Sequence, residues 1–363
     1  MDMDAPKIVW VLGSGFSRSL GGPLLYDLLS ELGHEESRAR FPNLNVEPAY
    51  TIFQFHQKDF RSDRPKYWRH AEEFLDFVDT AASPSSHRHP IVKKLLELFK
   101  GIEESPLDPK RLLERCSQAI AAECLFTLGA SPMNLEAWEP YIQWSMSRFD
   151  TDTILTFNYD LVLETLGELK DISALGRESV LIPEPNGQLR GVRGQGVANI
   201  LKLHGSVDWT DRGGSIQTVA DVSQSLESGF IPLIATPGPT KSIRTSGFFR
   251  HIWQEATERL KVADVVVFLG YRFPPSDSGA RHALLRALRD NKKPHIRVHT
   301  VLGPRTAEDD TVRLTKLLEM TLEGAGRKKS GDSSPSYDIV TQPLYVEDFL
   351  SVLNRPELLG PLG

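Results

Sequence analysis

The chain has 363 residues, 40% hydrophobic and 25% charged, with a formal net charge of −6. That length is ample for a buried core, and the acidic balance gives no global basic field for nucleic acid or anionic lipid. No apolar run reaches membrane-spanning length and the first residues lack the pattern of a secretory signal, so a cytoplasmic protein is expected, with no direct nucleic-acid binding and no membrane attachment.

In chain order, residues 7–33 read as a strand, a glycine-rich turn and a helix. The strand is Ile8-Val9-Trp10-Val11-Leu12 and the turn is Gly13-Ser14-Gly15-Phe16-Ser17. Pro23 suits the first turn of the helix, with Leu24, Leu25, Leu28, Leu29 and Leu32 as its buried stripe. From 34 to 150 strand-like runs nearly vanish, and helical patterns cover 69–82, 90–100, 108–128 and 134–149. Ser83-Pro84-Ser85-Ser86-His87 and Glu104-Ser105-Pro106-Leu107-Asp108 separate some of them. In the 108–128 segment Asp108 is the N-cap, Pro109 takes the first helical position, and Leu112, Leu113, Cys116, Ile120 and Cys124 share one stripe. Eight helical residues set the two cysteines about 12 Å apart. That is too far for a disulfide or for one zinc ion, so both read as small core residues.

Strand–helix alternation resumes at Thr153-Ile154-Leu155-Thr156. The run Asn199-Ile200-Leu201-Lys202-Leu203 follows, then a hairpin-like stretch over 205–235 containing Asp211-Arg212-Gly213-Gly214. Asp264-Val265-Val266-Val267-Phe268-Leu269 is the clearest buried strand, and its continuous apolar run fits a parallel sheet covered on both faces. A helix over 277–289, a strand over 296–302, a helix over 311–323, a Gly/Ser/Lys-rich stretch over 324–336 and a last short strand and helix complete the chain. The pattern predicts an α/β protein with a doubly wound, mostly parallel Rossmann-like sheet built from residues 1–33 and 151–363, and a helical insertion subdomain over 34–150.

Three motifs fall at predicted strand ends, where open α/β sheets bind ligands. Gly13 and Gly15 allow a tight turn and close backbone approach to an anion, and the N-terminus of the helix beyond adds a favourable dipole. Ser14 and Ser17 can donate hydroxyl hydrogen bonds to phosphate. The dinucleotide fingerprint is incomplete, because Arg18 stands at its third glycine, and no Gly-Lys-Ser/Thr phosphate loop occurs. A purely structural turn is the alternative. In Thr156-Phe157-Asn158-Tyr159-Asp160, an extended backbone projects Asn158 and Asp160 to one side, where an amide and a carboxylate can orient a ribose, a carboxamide or a water. The alternative is that Asp160 caps a helix over 161–169 and Asn158 satisfies a turn. In Leu203-His204-Gly205 the imidazole can take a proton from a hydroxyl or water near neutral pH, and a packed histidine is the alternative. His87, His89 and His251 read as surface residues. No His-Glu-x-x-His pair occurs, so no catalytic metal is expected.

Taken in order, these motifs resemble those of the sirtuin superfamily, and more closely the bacterial sirtuin-like NAD hydrolases of antiphage defence. The Gly-Ala-Gly-x-Ser turn of sirtuins is matched by Gly13–Ser17, their Thr-Gln-Asn-Ile-Asp by Thr156–Asp160, and their catalytic His-Gly by His204-Gly205. Their Gly-Thr-Ser-Leu after a buried strand is matched by Gly270-Tyr271-Arg272-Phe273; the bacterial branch has Gly-Tyr-Ser-Phe followed by an acidic residue, here Asp277. The matches run from residue 7 to 280, and the helical stretch 34–150 carries no assigned motif. Two features of the protein deacylases are missing: the zinc module of two cysteine pairs and the Pro-Asp-Phe-Arg segment, where this chain reads Gly21-Gly22-Pro23-Leu24-Leu25-Tyr26. Arg272 replaces the usual serine and can pair with a phosphate.

The resemblance implies that NAD is the substrate, without a metal, and that it is cleaved to nicotinamide and ADP-ribose. Its pyrophosphate is expected on Gly13, Ser14, Gly15, Phe16 and Ser17, with Thr156, Gly270, Tyr271 and Arg272 among the further contacts. Tyr159 and Asp160 would border the nicotinamide, Asn158 would hold the ribose and attacking water, and His204 would act as general base. Because unrestrained cleavage harms the cell, a gate is expected through a homo-oligomer or a separate partner. In the family such partners include a hexameric DNA-translocating ATPase and Argonaute-type proteins. An NAD-dependent deacylase or ADP-ribosyltransferase, and a non-catalytic NAD or ADP-ribose sensor, are the alternatives.

Overall fold

The computed structural model describes residues 6–24, 27–57, 68, 70–82, 108–128, 134–148, 150–169, 175, 177–191, 198–235, 247–274, 277–304, 308–329, 334–353 and 357–358. Strands β1 (Ile8–Leu12), β2 (Thr153–Thr156), β3 (Asn199–Lys202), β4 (Val265–Leu269), β5 (His295–Val301), β6 (Lys328–Lys329) and β7 (Ser336–Gln342) form one seven-stranded sheet, in the order β3-β2-β1-β4-β5-β7-β6. Every neighbouring pair is parallel. From β1 the chain winds out through β2 to β3, then crosses to the other side of β1 and winds out through β4 and β5. That is the doubly wound order, and its topological switch point lies between β1 and β4. All ten residues of β1 and β4 are buried. Burying such a side chain contributes about 1.5–3 kcal/mol, so the two strands beside the switch point anchor the sheet.

The helices are α1 (Glu31–Arg40), α2 (Glu47–Gln57), α3 (Ala71–Ala82), α4 (Pro109–Leu128), α5 (Leu135–Met146), α6 (Val162–Leu169), α7 (Val222–Glu227), α8 (Gly247–Lys261), α9 (Ser278–Arg289), α10 (Glu308–Glu323) and α11 (Val346–Val352). Helices α2 to α4, with Trp68 from the segment between α2 and α3, build a second core from Tyr50, Phe53, Trp68, Phe74, Leu112, Cys116 and Ile120. Leu161, Val207, Val222 and Leu226 belong to it too, so this core reaches the chain just beyond β2 and β3. Cys116 and Cys124 are free and buried in it.

Helix α5 packs differently. Its Trp138, Tyr141, Ile142 and Trp144 join the sheet core, with Trp144 edge-on to Trp10 at 5.6 Å. Arg148, just beyond it, lies over the Trp10 ring at 4.3 Å and forms a buried pair with Asp152 at 3.0 Å. The sheet thus claims the last helix of the 34–150 stretch.

One expected element does not form. The glycine-rich turn is not followed by a helix carrying Leu24, Leu28, Leu29 and Leu32. Two single 3-10 turns, Ser14–Phe16 and Arg18–Leu20, replace it. The double glycine is the cause: Gly21 sits at φ 91, and Gly22 folds back to donate its N–H to Ser17 O at 2.9 Å. Leu28 and Leu29 are buried in the helical core, whereas Leu32 is 65% exposed. A full helix starts only at Glu31, capped by Ser30 Oγ, which accepts from Gly33 N. The expected helix over 90–100, His87, His89 and Leu25 lie outside the described residues.

Candidate functional site

The site is assembled by strand register. Leu12 pairs with Thr156 and with Leu269, and Thr156 pairs with Lys202, so the last residues of four adjacent strands form one row. The ladder runs one step further. Phe157 N donates to Leu12 O at 3.0 Å, Leu203 N to Thr156 O at 2.9 Å and Gly13 N to Leu269 O at 3.0 Å. The segments beginning at Gly13, Phe157, Leu203 and Gly270 therefore leave the sheet at one level, two of them flanking the switch point. All four sequence motifs are brought to one edge.

The glycine turn packs against the turn after β4. A Cβ on Gly13 would lie 2.6 Å from Gly270 O, and one on Gly15 would lie 2.8 Å from Gly270 Cα. Gly270 itself has φ +64, and its own Cβ would lie 2.6 Å from Gly15 Cα. The close approach these glycines permit is thus between two chain segments. Gly13 N and Gly15 N are engaged with Leu269 O and Gly270 O, and Phe16 N donates to Gly13 O. The expected phosphate cradle changes accordingly: its helix dipole is absent, because only a three-residue 3-10 turn follows. Phe16 is a core residue, edge-on to Tyr141 at 5.1 Å. Ser14 is half-buried and Arg272 is exposed; an Arg272 guanidinium N–H donates to Leu302 O at 3.2 Å.

Asn158 reaches across to this turn. Its Nδ2 donates to Ser17 Oγ at 3.2 Å, and its backbone N–H is held by Thr156 Oγ1 at 3.0 Å. Both Asn158 and Ser17 are buried. The chain leaves the strand after Thr156, and Asp160 Oδ1 accepts from Val162 N at 3.1 Å at the start of α6. The capping alternative describes that carboxylate. The loop is pinned from below by Lys202, buried at the end of β3, whose Nζ donates to Asp160 O at 2.6 Å and to Glu164 Oε1 at 2.9 Å. Burial raises the Glu164 carboxyl above its ordinary range against the opposing pull of Lys202. Neither member of this pair was a candidate from sequence; the signal was a lysine inside the otherwise apolar end of a strand.

His204 packs against Phe157. The imidazole is edge-on to the Phe157 ring at 4.9 Å, and Phe157 stacks on Tyr271 at 4.3 Å. Tyr159 lies with its ring 6.3 Å from the imidazole and donates its hydroxyl to Ala235 O at 2.7 Å. The backbone holds His204 through Ala235 N, which donates to His204 O at 2.8 Å, and Trp253 Nε1 donates to Leu203 O at 3.2 Å. Gly205, at φ 81, has the Leu233 carbonyl where its Cβ would stand, so glycine is required after the histidine. His204 Nε2 is 3.5 Å from Asp277 Oδ2, and both side chains are buried. Burial, reinforced by the Asp277 charge, pushes the hydroxyls of Tyr159 and Tyr271 well above their ordinary range. Tyr271 Oη and Ser206 Oγ, two buried hydroxyls within the motif segments or next to them, have no hydrogen-bond partner among the described residues. Both could bind a polar ligand group.

A cavity of about 420 Å³ elsewhere, lined by Gly187, Leu189, His251 and Glu255 among others, shares no residue with this cluster. No described helix is long and apolar enough to cross a membrane.

Among solved structures the chain is similar to a Sir2 enzyme bound to a propionylated peptide, at 12% identity and a TM-score of 0.36, covering 95% of this chain and 90% of that one. It is similar also to a structure described as the structural basis of sirtuin substrate affinity, at 13% identity and a TM-score of 0.40, covering 95% and 91%. A third, on the mechanism and regulation of Sir2 enzymes, gives 12% identity and a TM-score of 0.37 over 89% and 93%. No protein-family model and no curated protein matches the sequence.

Proposed function

We propose that this protein is an NAD+ hydrolase that breaks the nicotinamide–ribose bond to release nicotinamide and ADP-ribose. The observation that carries the reading is the union of the motifs at the carboxyl edge beside a switch point: Asn158 hydrogen-bonded to Ser17 of the glycine turn, and the His204 imidazole packed on Phe157 of the Asn158 segment.

Breaking that bond builds positive charge on the ribose and needs a nucleophile on the opposite face. In this reading Asn158 orients the ribose and the water, and His204 takes a proton from a ribose hydroxyl or that water, worth about 10²–10⁴ in rate. In this reading Ser14, half-buried, and Arg272, exposed, meet phosphate oxygens, and Tyr159, Tyr271 and Thr156 make further contacts with the dinucleotide. Asn158 and His204 are 9% and 3% exposed. A dinucleotide reaches them only when neighbouring side chains move, which fits control by self-assembly or a defence partner.

The test is incubation of the chain, alone and with its native assembly, with NAD+ and measurement of nicotinamide and ADP-ribose. Asn158→Ala and His204→Ala should each lower turnover by about 10²–10⁴-fold. Full turnover in both variants, or no product from the active assembly, ends the reading.

A further inference from the structure

We propose that Asp277 is the positioning residue for His204, fixing the ring and favouring its protonated state during proton transfer; this rests on the NAD-cleavage reading. Three observations carry it. Asp277 is the N-cap residue of α9, yet its side chain makes no capping hydrogen bond. Its carboxylate oxygen instead lies 3.5 Å from His204 Nε2, with side-chain exposures of 6% and 4%. Its charge also pushes up the hydroxyls of Tyr159, whose ring lies 6.3 Å from the imidazole, and of Tyr271, whose ring stacks on Phe157.

An N-cap aspartate normally uses its oxygen on the first free backbone N–H groups of the helix. Here that oxygen is turned to a ring nitrogen. Out of contact with water, a carboxylate at this distance favours imidazolium over neutral imidazole far more than it would on the surface. In the neutral ring it favours the tautomer with the proton on Nε2, since the partner of one nitrogen sets which carries hydrogen. Compared with a neutral partner the carboxylate makes the imidazole a stronger base, and the cation formed when it accepts the substrate-derived proton is held by an opposite charge. Burial keeps the Tyr159 and Tyr271 hydroxyls protonated, and the other charged groups that act on these two rings are Arg281 at Tyr271 and Glu72 at Tyr159.

The experiment compares wild type, Asp277→Asn and Asp277→Glu. The Asp277 side chain makes no capping bond and asparagine has nearly its shape, so Asp277→Asn keeps α9 and its unfolding midpoint while removing the charge. Protein labelled with 15N at histidine is titrated by NMR, with His204→Gln assigning the signal. The His204 ring of wild type should hold its proton to a pH about one unit or more above that of Asp277→Asn, and should favour the Nε2–H tautomer when neutral. In parallel, Asp277→Asn should lower kcat for NAD+ about tenfold or more with KM changed less than about threefold, and Asp277→Glu should recover part of that loss. Identical titrations in wild type and Asp277→Asn overturn the proposal, as does wild-type kcat in Asp277→Asn. If wild type itself cleaves no NAD+, the hydrolase reading falls alone, and the titration decides the pairing.

Discussion

Gly270→Ala should separate the two turns at the switch point, and Gly213→Ala provides its control. The two glycines have nearly the same backbone, φ +64 and φ +63. Forcing alanine into that left-handed region costs about 1–2 kcal/mol at either site, and the entropy removed from the unfolded chain is the same for both. Their surroundings differ. A Cβ on Gly213 meets nothing within 4 Å, whereas one on Gly270 would lie 2.6 Å from Gly15 Cα and 2.7 Å from Phe16 N. Ordinary carbon contacts are about 3.5–4.0 Å, so backbone must move by about 1 Å, at the typical overpacking cost of about 1–3 kcal/mol. Urea unfolding followed by tryptophan fluorescence reports this directly, because Trp10 and Trp144 lie in the sheet core. With a slope of about 3 kcal/mol per M, Gly270→Ala should unfold about 0.3–1 M earlier than Gly213→Ala. Equal midpoints for the two variants would refute the tight packing of the glycine turn on the β4 turn.

Three further outcomes follow from the site and its supports. Lys202→Met leaves Glu164 buried without its ammonium, so unfolding should become easier by about 3–5 kcal/mol, and Lys202→Met with Glu164→Gln should recover most of it; additive losses in urea unfolding would count against a buried pair. Glu123 is held by Leu29 N and Tyr50 Oη, and burial pushes its carboxyl from 4.5 up to about 8. The folded state therefore binds the extra proton between those values, and the stability it contributes is complete below pH 4.5 and lost as pH rises to 8, at up to about 1.4 kcal/mol per pH unit. Glu123→Gln should match wild type near pH 5 and outlast it near pH 8 in thermal melts; parallel curves would contradict this. Phe157→Ala removes the ring between His204 and Tyr271, and should cost about 3–5 kcal/mol of stability along with turnover; a stable variant with wild-type kcat would show that the ring does not hold the imidazole in place.

The sheet was legible because its signal is local. Val265–Leu269 and Ile8–Leu12 are short, continuous apolar runs rich in β-branched residues, as a strand buried on both faces requires. The hairpin at Trp209–Arg212 and Ser215–Thr218 was legible in its two turn glycines. Helix α1 was not: Leu32 is its one large apolar residue and faces solvent, so it has no stripe, and only the Ser30 cap announces it. Leu28 and Leu29 mimic a helical stripe in the sequence although they are buried by a distant helical core, with Leu29 at φ 59. The motif residues were legible, whereas their partners were not. Register alone decides that Leu12, Thr156, Lys202 and Leu269 share a row, and no local pattern encodes a parallel register. The same holds for Ser17 meeting Asn158, and for a helix cap turning to an imidazole.

The most direct test of the central claim is mass spectrometry of NAD+ after incubation with the purified chain, alone and co-purified with whatever it assembles with in its own cells. The account predicts nicotinamide and free ADP-ribose in equal amounts, abolished by His204→Ala. Label from NAD+ transferred to protein or nucleic acid, or intact NAD+ that only raises the melting temperature of the chain, would contradict it.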